Sequence, residues 1–262
     1  MAKIKELPFK ITSEKLDSLI NTLRDLSSID KKSIFKIDNK HTLIYSKVGE
    51  GSSINCFKSF VYNTKELFDM DDFEEVINYI VNDNKEMFRK LQILNSFNEN
   101  VTGKIYYDKL GEDYFTEKIS IKTGTKLKLN LLGGDPLSIN SKISVAVIKE
   151  TMNIENSNFN FNLNSDDFLN IKRLSSNDTV SDIFYMNTIE KDGKFYVSLG
   201  ESSWDLTLSE IEYEQSRTLA FPKKYFKSIS VDGDSSKVYV FDNMLMVETE
   251  NSNMLISTEI TS

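Results

Sequence analysis

Histidine and cysteine are almost missing from this chain: His41 and Cys56 are the only ones in 262 residues. One cysteine forms no intramolecular disulfide, which fits a reducing compartment. One Cys and one His do not build a structural zinc site. A nucleophilic site of the Ser-His-Asp or Cys-His kind would have to use His41, and the surrounding "DNKHTL" reads as a hairpin turn that leaves the imidazole exposed. No GxxxxGK[ST] loop and no GxGxxG occurs. No apolar run approaches the ~20 residues of a membrane span, and "MAKIKELPFKI" lacks the apolar core of a secretory signal. The inventory therefore predicts no cofactor, no metal, no membrane partner and no enzyme activity, in the cytoplasm.

Positive charge is also short. Lys and Arg number 32 against 40 Asp and Glu, a formal charge of −8. That balance is a poor bulk match for nucleic acid, so any such contact has to come from a local patch. Paired acids such as Asp71 and Asp72 raise the reading of a carboxylate enzyme, but no spacing singles out an acid–base pair. "SVDGDSS" holds Asp232 and Asp234 without the full calcium-loop pattern and reads as a hairpin loop. "LLGGDPLS" is turn chemistry with no Lys-Ser/Thr after it.

What is present is a degenerate internal repeat. "ITSEKLDSLINTLRDLSS" and "LNSDDFLNIKRLSS" both place a serine and an acid before apolar residues at helical spacing, as in Leu16, Leu19, Ile20 and Leu23. "SIFKID" and "DIFYMN" follow, then the hairpin partners "TLIYSKVGEGSS" and "KFYVSLGESS". "FVYNTKELF" aligns with "LAFPKKYF" as a strand running into a short helix, and "GKIYYD" with "SKVYVFD". Strong period-2 alternation, as in "KISIKTGTKLKLNL", predicts antiparallel sheet with one face buried. The expected fold is α+β, a tandem duplication of helix–strands–helix–strands, with domains at 1–132 and 159–262 and a connector at 133–158 carrying one strand at Ser144 to Ile148. The first copy is expected to hold a helical insertion at about 69–103, on a stripe of Phe73, Val76, Ile77, Ile80, Met87, Phe88, Leu91 and Leu94 broken at Asn82 to Asn84.

"FPKKYFKSI" concentrates three lysines in an acidic chain. Pro222 suits a first helical turn. At 100° per residue Lys223, Lys224 and Lys227 fall within about a third of the circumference, opposite Tyr225, Phe226 and Ile229. This face reads either as solvated helix surface or as a nucleic-acid contact.

Two tandem helix–strands–helix–strands copies with a long connector resemble the DNA sliding clamps. "EKDGKFYVSLGESS" is similar to the clamp hairpin, "LAFPKKYFKSI" to the strand and basic helix after it, and "KVYVFDNMLMVETENSNMLISTEI" to the closing strands. The two-copy form resembles phage, archaeal and eukaryotic clamps. The resemblance implies the DNA clamp fold in a homotrimeric ring, with helices lining the hole and sheets outside. It also implies sequence-independent binding of double-stranded DNA, an ATP-driven clamp loader and a DNA polymerase held for processivity. The Lys-, Asn- and Ile-rich composition suits a tailed phage, hence a host cytoplasm. DNA-facing cations would be Lys223, Lys224 and Lys227, Lys172 and Arg173, Lys85 and Arg89, and Lys15 and Arg24 flanking a first helix whose outer pole (Glu14, Ser18, Asn21, Asp25) is not basic. The net negative charge would lie on the outer surface. A partner-peptide pocket would use Leu137, Ile139, Met244, Leu245, Ile256 and Thr258. The subunit seam would join the edges 125–132 and 203–209, through Lys126, Lys128, Trp204 and Leu206. The other reading is a non-enzymatic viral structural or assembly protein built from two similar α+β domains.

Overall fold

The first helix, α1 (Ser13–Leu26), forms where apolar spacing predicts it. Thr12 caps it by accepting from the Lys15 N–H at 3.3 Å, and Leu16, Leu19, Ile20, Leu23 and Leu26 are all buried along one side. The computed structural model describes residues 4–49, 54–124, 126–138, 152–176, 181–201, 204–229 and 235–259. The chain divides into two units, residues 1–47 with 59–140, and residues 48–58 with 141–262.

In the first unit β1 (Lys5–Ile11) pairs antiparallel with β7 (Val101–Leu110), β7 with β8 (Asp113–Thr123), and β8 with β9 (Leu127–Leu132). β2 (Ser33–Ile37) lies between β3 (His41–Val48) and β6 (Ile77–Val81), with β4 (Cys56–Asn63) beyond β3. A short parallel contact from β6 to β8 joins these strands into one sheet. α1 and α3 (Asn84–Asn95) pack on one face of it: Leu7, Phe9 and Ile11 of β1 meet Leu16, Leu19, Met87 and Leu91 in the core.

The second unit repeats the pairing. β10 (Phe159–Asn164) pairs with β15 (Ser235–Val240), β15 with β16 (Met244–Glu248), and β16 with β17 (Ser252–Ser257). β11 (Ile183–Lys191) lies between β12 (Lys194–Glu201) and β14 (Thr218–Pro222), with β13 (Trp204–Ile211) beyond β12. Helix α4 (Ser165–Ser176) follows β10 as α1 follows β1, and α5 (Lys223–Phe226) follows β14 as α3 follows β6.

This pattern corrects the expected alignment within the repeat. The counterpart of β14–α5 is β6–α3, and "FVYNTKELF" is β4 running into the four-residue α2 (Thr64–Leu67). The segment that the second unit lacks is therefore α2, β5 (Asp69–Met70) and the loop to β6, not a helix pair at 69–103. Of the eight residues of the expected helical stripe, Ile77 and Ile80 lie in strand β6, Phe73 and Val76 in the loop before it, and only the last four in α3. All five residues of "INYIV" in β6 are buried, so period-2 alternation is absent and the apolar run imitates a helix. Asp83 then caps α3, accepting from the Glu86 N–H at 3.0 Å, and this hydrogen bond holds its carboxyl below the usual carboxylate range. The expected strand at Ser144 to Ile148, and Asp232 and Asp234, lie outside the described residues.

Gly133 follows β9 for a steric reason. Its N–H donates to the Glu117 carbonyl at 2.8 Å, and a Cβ there would lie 1.9 Å from the Thr116 carbonyl oxygen. Close backbone approach, rather than turn propensity alone, accounts for this residue of "LLGGDPLS".

Candidate nucleic-acid interface and edge strands

The helices of each unit turn their polar sides away from the core. α1 and α3 are tied at one end, where Ser13 Oγ donates to Asn95 Oδ1 and Asn95 Nδ2 to Asp17 Oδ1, each at 2.6 Å. At the other, the Arg24 guanidinium lies 5.7 Å from the Phe88 ring centroid. Arg24, Lys85 and Arg89 are exposed and Lys15 is half-buried. Glu14, Asp17 and Asp25 share the α1 surface, so its cations are interleaved with acids.

In the second unit the Asp167 N–H donates to Asn164 Oδ1 at 2.9 Å and the Asn164 N–H to Asp167 Oδ2 at 3.3 Å, a reciprocal cap for α4. Lys172 and Arg173 are exposed further along. On α5 and its C-cap, Lys224 and Lys227 are exposed, with Lys224 Nζ 5.0 Å from the Tyr225 ring centroid.

Lys223 departs from the expected cationic face. It is buried, and its ammonium lies 2.7 Å from Glu201 Oε1, also buried, and 5.5 Å from the Phe184 ring centroid. The short α5 starts by turning this side chain inward, so the exposed charge of "KKYFK" is two lysines rather than three. Lys58 is a second buried lysine of this unit, donating to the Ser228 carbonyl at 2.7 Å. Neither buried cation was visible as such in the sequence, because a lysine gives no sign of burial unless its partner is known. Cys56 is buried nearby, and burial pushes its thiol up to about 12, so it is held as an unreactive thiol.

Two residues expected in the peptide pocket are covered within the second unit. Leu245 and Ile256 stand opposite each other on β16 and β17 and are fully covered. They are core residues, because three consecutive positions on each strand are buried and leave no open face. Met244 and Thr258 are half-buried in the same unit. Leu137, in the 3₁₀ turn after β9, is 83% exposed. Ile139 lies outside the described residues.

The expected seam strands are both sheet edges. Among the described residues β9 hydrogen-bonds only to β8, and β13 only to β12. Lys128 is exposed on β9 and Leu206 is half-buried on β13. Two of the four expected seam side chains are engaged at home: Lys126 Nζ lies 2.6 Å from Glu99 Oε1, and the Trp204 ring packs edge-on to Phe184 with centroids 5.5 Å apart. The outer edge of β17, the counterpart of β9, is different. Residues 54–58, leading into β4, run beside it, and the Ser257 N–H donates to the Asn55 carbonyl at 3.1 Å.

Among the described residues no cluster of His, Cys, Asp or Glu could hold a metal ion, and no helix is long and apolar enough to cross a membrane. No family model and no curated protein matches the sequence. Solved structures do match in shape. Proliferating cellular nuclear antigen from Entamoeba histolytica superposes with a TM-score of 0.64 at 14% identity, over 99% of this chain and 100% of that one. The A. fulgidus counterpart, bound to the C-terminal region of FEN-1, gives 0.64 at 14% identity over 98% and 99%. DNA polymerase III subunit beta from Borrelia burgdorferi gives 0.68 at 14% identity, over 97% of this chain and 65% of that one. The fold is the α+β fold of the DNA clamps.

Proposed function

We propose that this chain is a non-enzymatic DNA sliding clamp, which closes as a homotrimeric ring around double-stranded DNA and tethers a DNA polymerase for processivity. The single observation that carries the reading is a contact made once and left open once. In the second unit the outer edge of β17 is taken by the chain leading into β4. The counterparts in the repeat, the edge of β9 for β17 and the edge of β13 for β4, carry no strand among the described residues. An open edge is an aggregation template unless it has a designated partner. β9 of one copy against β13 of the next supplies that partner head-to-tail, and such contacts form a ring when the rotation between copies closes. The flanking charges agree: Lys128 is exposed on β9, Asp205 and Glu210 on β13.

The helical cations give the ring its use. Lys224, Lys227, Lys172, Arg173, Lys85, Arg89 and Arg24 are exposed on helices whose other sides pack on sheet. Phosphate attraction independent of base sequence permits sliding, and lysine acts as a hydrated point charge where arginine forks onto one phosphate. An ATP-driven loader would open the ring, and Leu137 of the first unit and, separately, Met244 and Thr258 of the second would serve partner peptides, as the A. fulgidus clamp bears the FEN-1 C-terminal region. A tailed-phage source and the host cytoplasm fit this role.

Topology tests the proposal. Protein is incubated with linear duplex, whose ends are then blocked, and separately with a covalently closed circle without a loader. A ring threads the open ends and stays on the blocked duplex through a salt wash, while the circle stays bare. Equal retention on both substrates, or loss from both, contradicts it.

A further inference from the structure

The exposed face of the first unit's β9–β8–β7–β1 sheet carries a charge that the fold does not require. The register places Lys10, Thr102, Lys122 and Lys128 in one row across the four strands, Pro8, Lys104, Ser120 and Asn130 in the next, and Glu6, Tyr106, Lys118 and Leu132 in the third. Five lysines thus share one face of a chain whose formal charge is −8. Glu6 lies 2.9 Å from Lys104, and Asp69 lies 3.6 Å from Lys10. Lys122 and Lys128 stand directly opposite each other, and among the described residues neither has an ion-pair partner. Like charges facing across strands are unfavourable. The matching face of the second unit is the internal control. There Asn162 stands opposite Lys237, and Lys237 opposite Glu248, so the same pairing pattern is built without the excess charge.

Of these side chains Lys10, Lys104, Tyr106, Ser120, Lys122 and Lys128 line an open cleft of about 610 Å³, together with the carboxylates of Asp69 and Asp71. We propose that the cleft binds single-stranded nucleic acid through its phosphates. Lysines and hydroxyls suit phosphate oxygens, and the half-exposed Tyr106, with Lys118 Nζ 4.6 Å from its ring centroid, adds an aromatic side chain beside them of the kind that stacks on unpaired bases. An acidic peptide is the weaker fit, because its affinity normally rests on apolar anchors seated in pockets. The apolar lining here is confined to Pro8, Met70 and the covered Phe9. The inference does not rest on ring closure and stands if the ring reading fails.

The test is fluorescence anisotropy of a labelled oligothymidine of roughly 12 nucleotides across a salt series. The full chain is compared with Lys122→Gln/Lys128→Gln and, as a charge-matched control at exposed lysines with no assigned role, Lys32→Gln/Lys40→Gln. The expected result is salt-dependent binding by the parent chain, weakened at least about tenfold in the sheet variant. The slope of log K against log salt should fall by about 1.4, for two single-strand phosphates that are no longer neutralised. Binding persists in the control variant. Absence of oligothymidine binding, or an unchanged slope in the sheet variant, overturns the proposal. So does equally tight binding of poly-glutamate, which would make the face an acidic-peptide site. A matched duplex bound through the same two lysines as tightly as the single strand also overturns it.

Discussion

Lys223 and Glu201 form a buried ion pair, Nζ to Oε1 at 2.7 Å, with side-chain exposures of 6% and 3%. It links the start of α5 to the end of β12, so it holds the short basic helix against its own sheet. Removing one partner strands a charge in the interior. Lys223→Met alone is expected to cost about 3–5 kcal/mol in urea unfolding, while Glu201→Leu/Lys223→Met is expected to come back close to the parent stability. Equal destabilisation by the single and double variants would mean that the pair does not act as a unit.

Lys224 and Lys227 carry the exposed charge of the same segment. Lys224→Glu/Lys227→Glu should weaken duplex retention and lower the salt slope of DNA binding by about 0.9 for each phosphate that the lysines no longer neutralise. The solution mass should stay unchanged. Unaltered duplex retention would remove α5 from the DNA interface.

Gly133 and Gly111 separate two reasons for glycine. Gly133→Ala drives a Cβ to 1.9 Å from the Thr116 carbonyl oxygen and should cost about 1–3 kcal/mol, read from the urea midpoint. A Cβ at Gly111 meets nothing within 4 Å, but its φ of +67° is strained for alanine, so Gly111→Ala should cost about 1 kcal/mol. Gly111→Ala proving the more damaging would contradict the close approach at Gly133.

The Cys56 thiol, pushed up to about 12 by burial, reports on unfolding. A thiol reagent at pH 8 should react at the rate of opening rather than of chemistry, with fast labelling only in denaturant. Its folded pKa lies above the unfolded value of about 8.5. The stability it contributes is therefore complete below pH about 8.5 and lost as pH rises towards 12. Cys56→Ala should flatten that alkaline decline. Rapid labelling of the native protein would show that the thiol is accessible.

The repeat, α1 and the strands β9 and β13 could be read from the sequence, because alternation and helical spacing survive wherever one face is wet; that these two strands are edges was implied only by the clamp resemblance. β1 and β10 show it cleanly, with every second residue buried. β6 could not, since both of its faces are covered. Leu245 and Ile256 looked like pocket wall for a related reason: a strand buried on two sides gives no sign of which side meets solvent. Lys223 misled because its partner stands 22 residues earlier in the chain. The lysine face of β9–β8–β7–β1 needed register, since its five members come from four strands.

Solution mass by light scattering across a dilution series tests the ring most directly. The account predicts a trimer of three 30.1 kDa chains, about 90 kDa, that dissociates on dilution as strand pairs at β9 and β13 separate. A single species of 30.1 kDa at every concentration would contradict it.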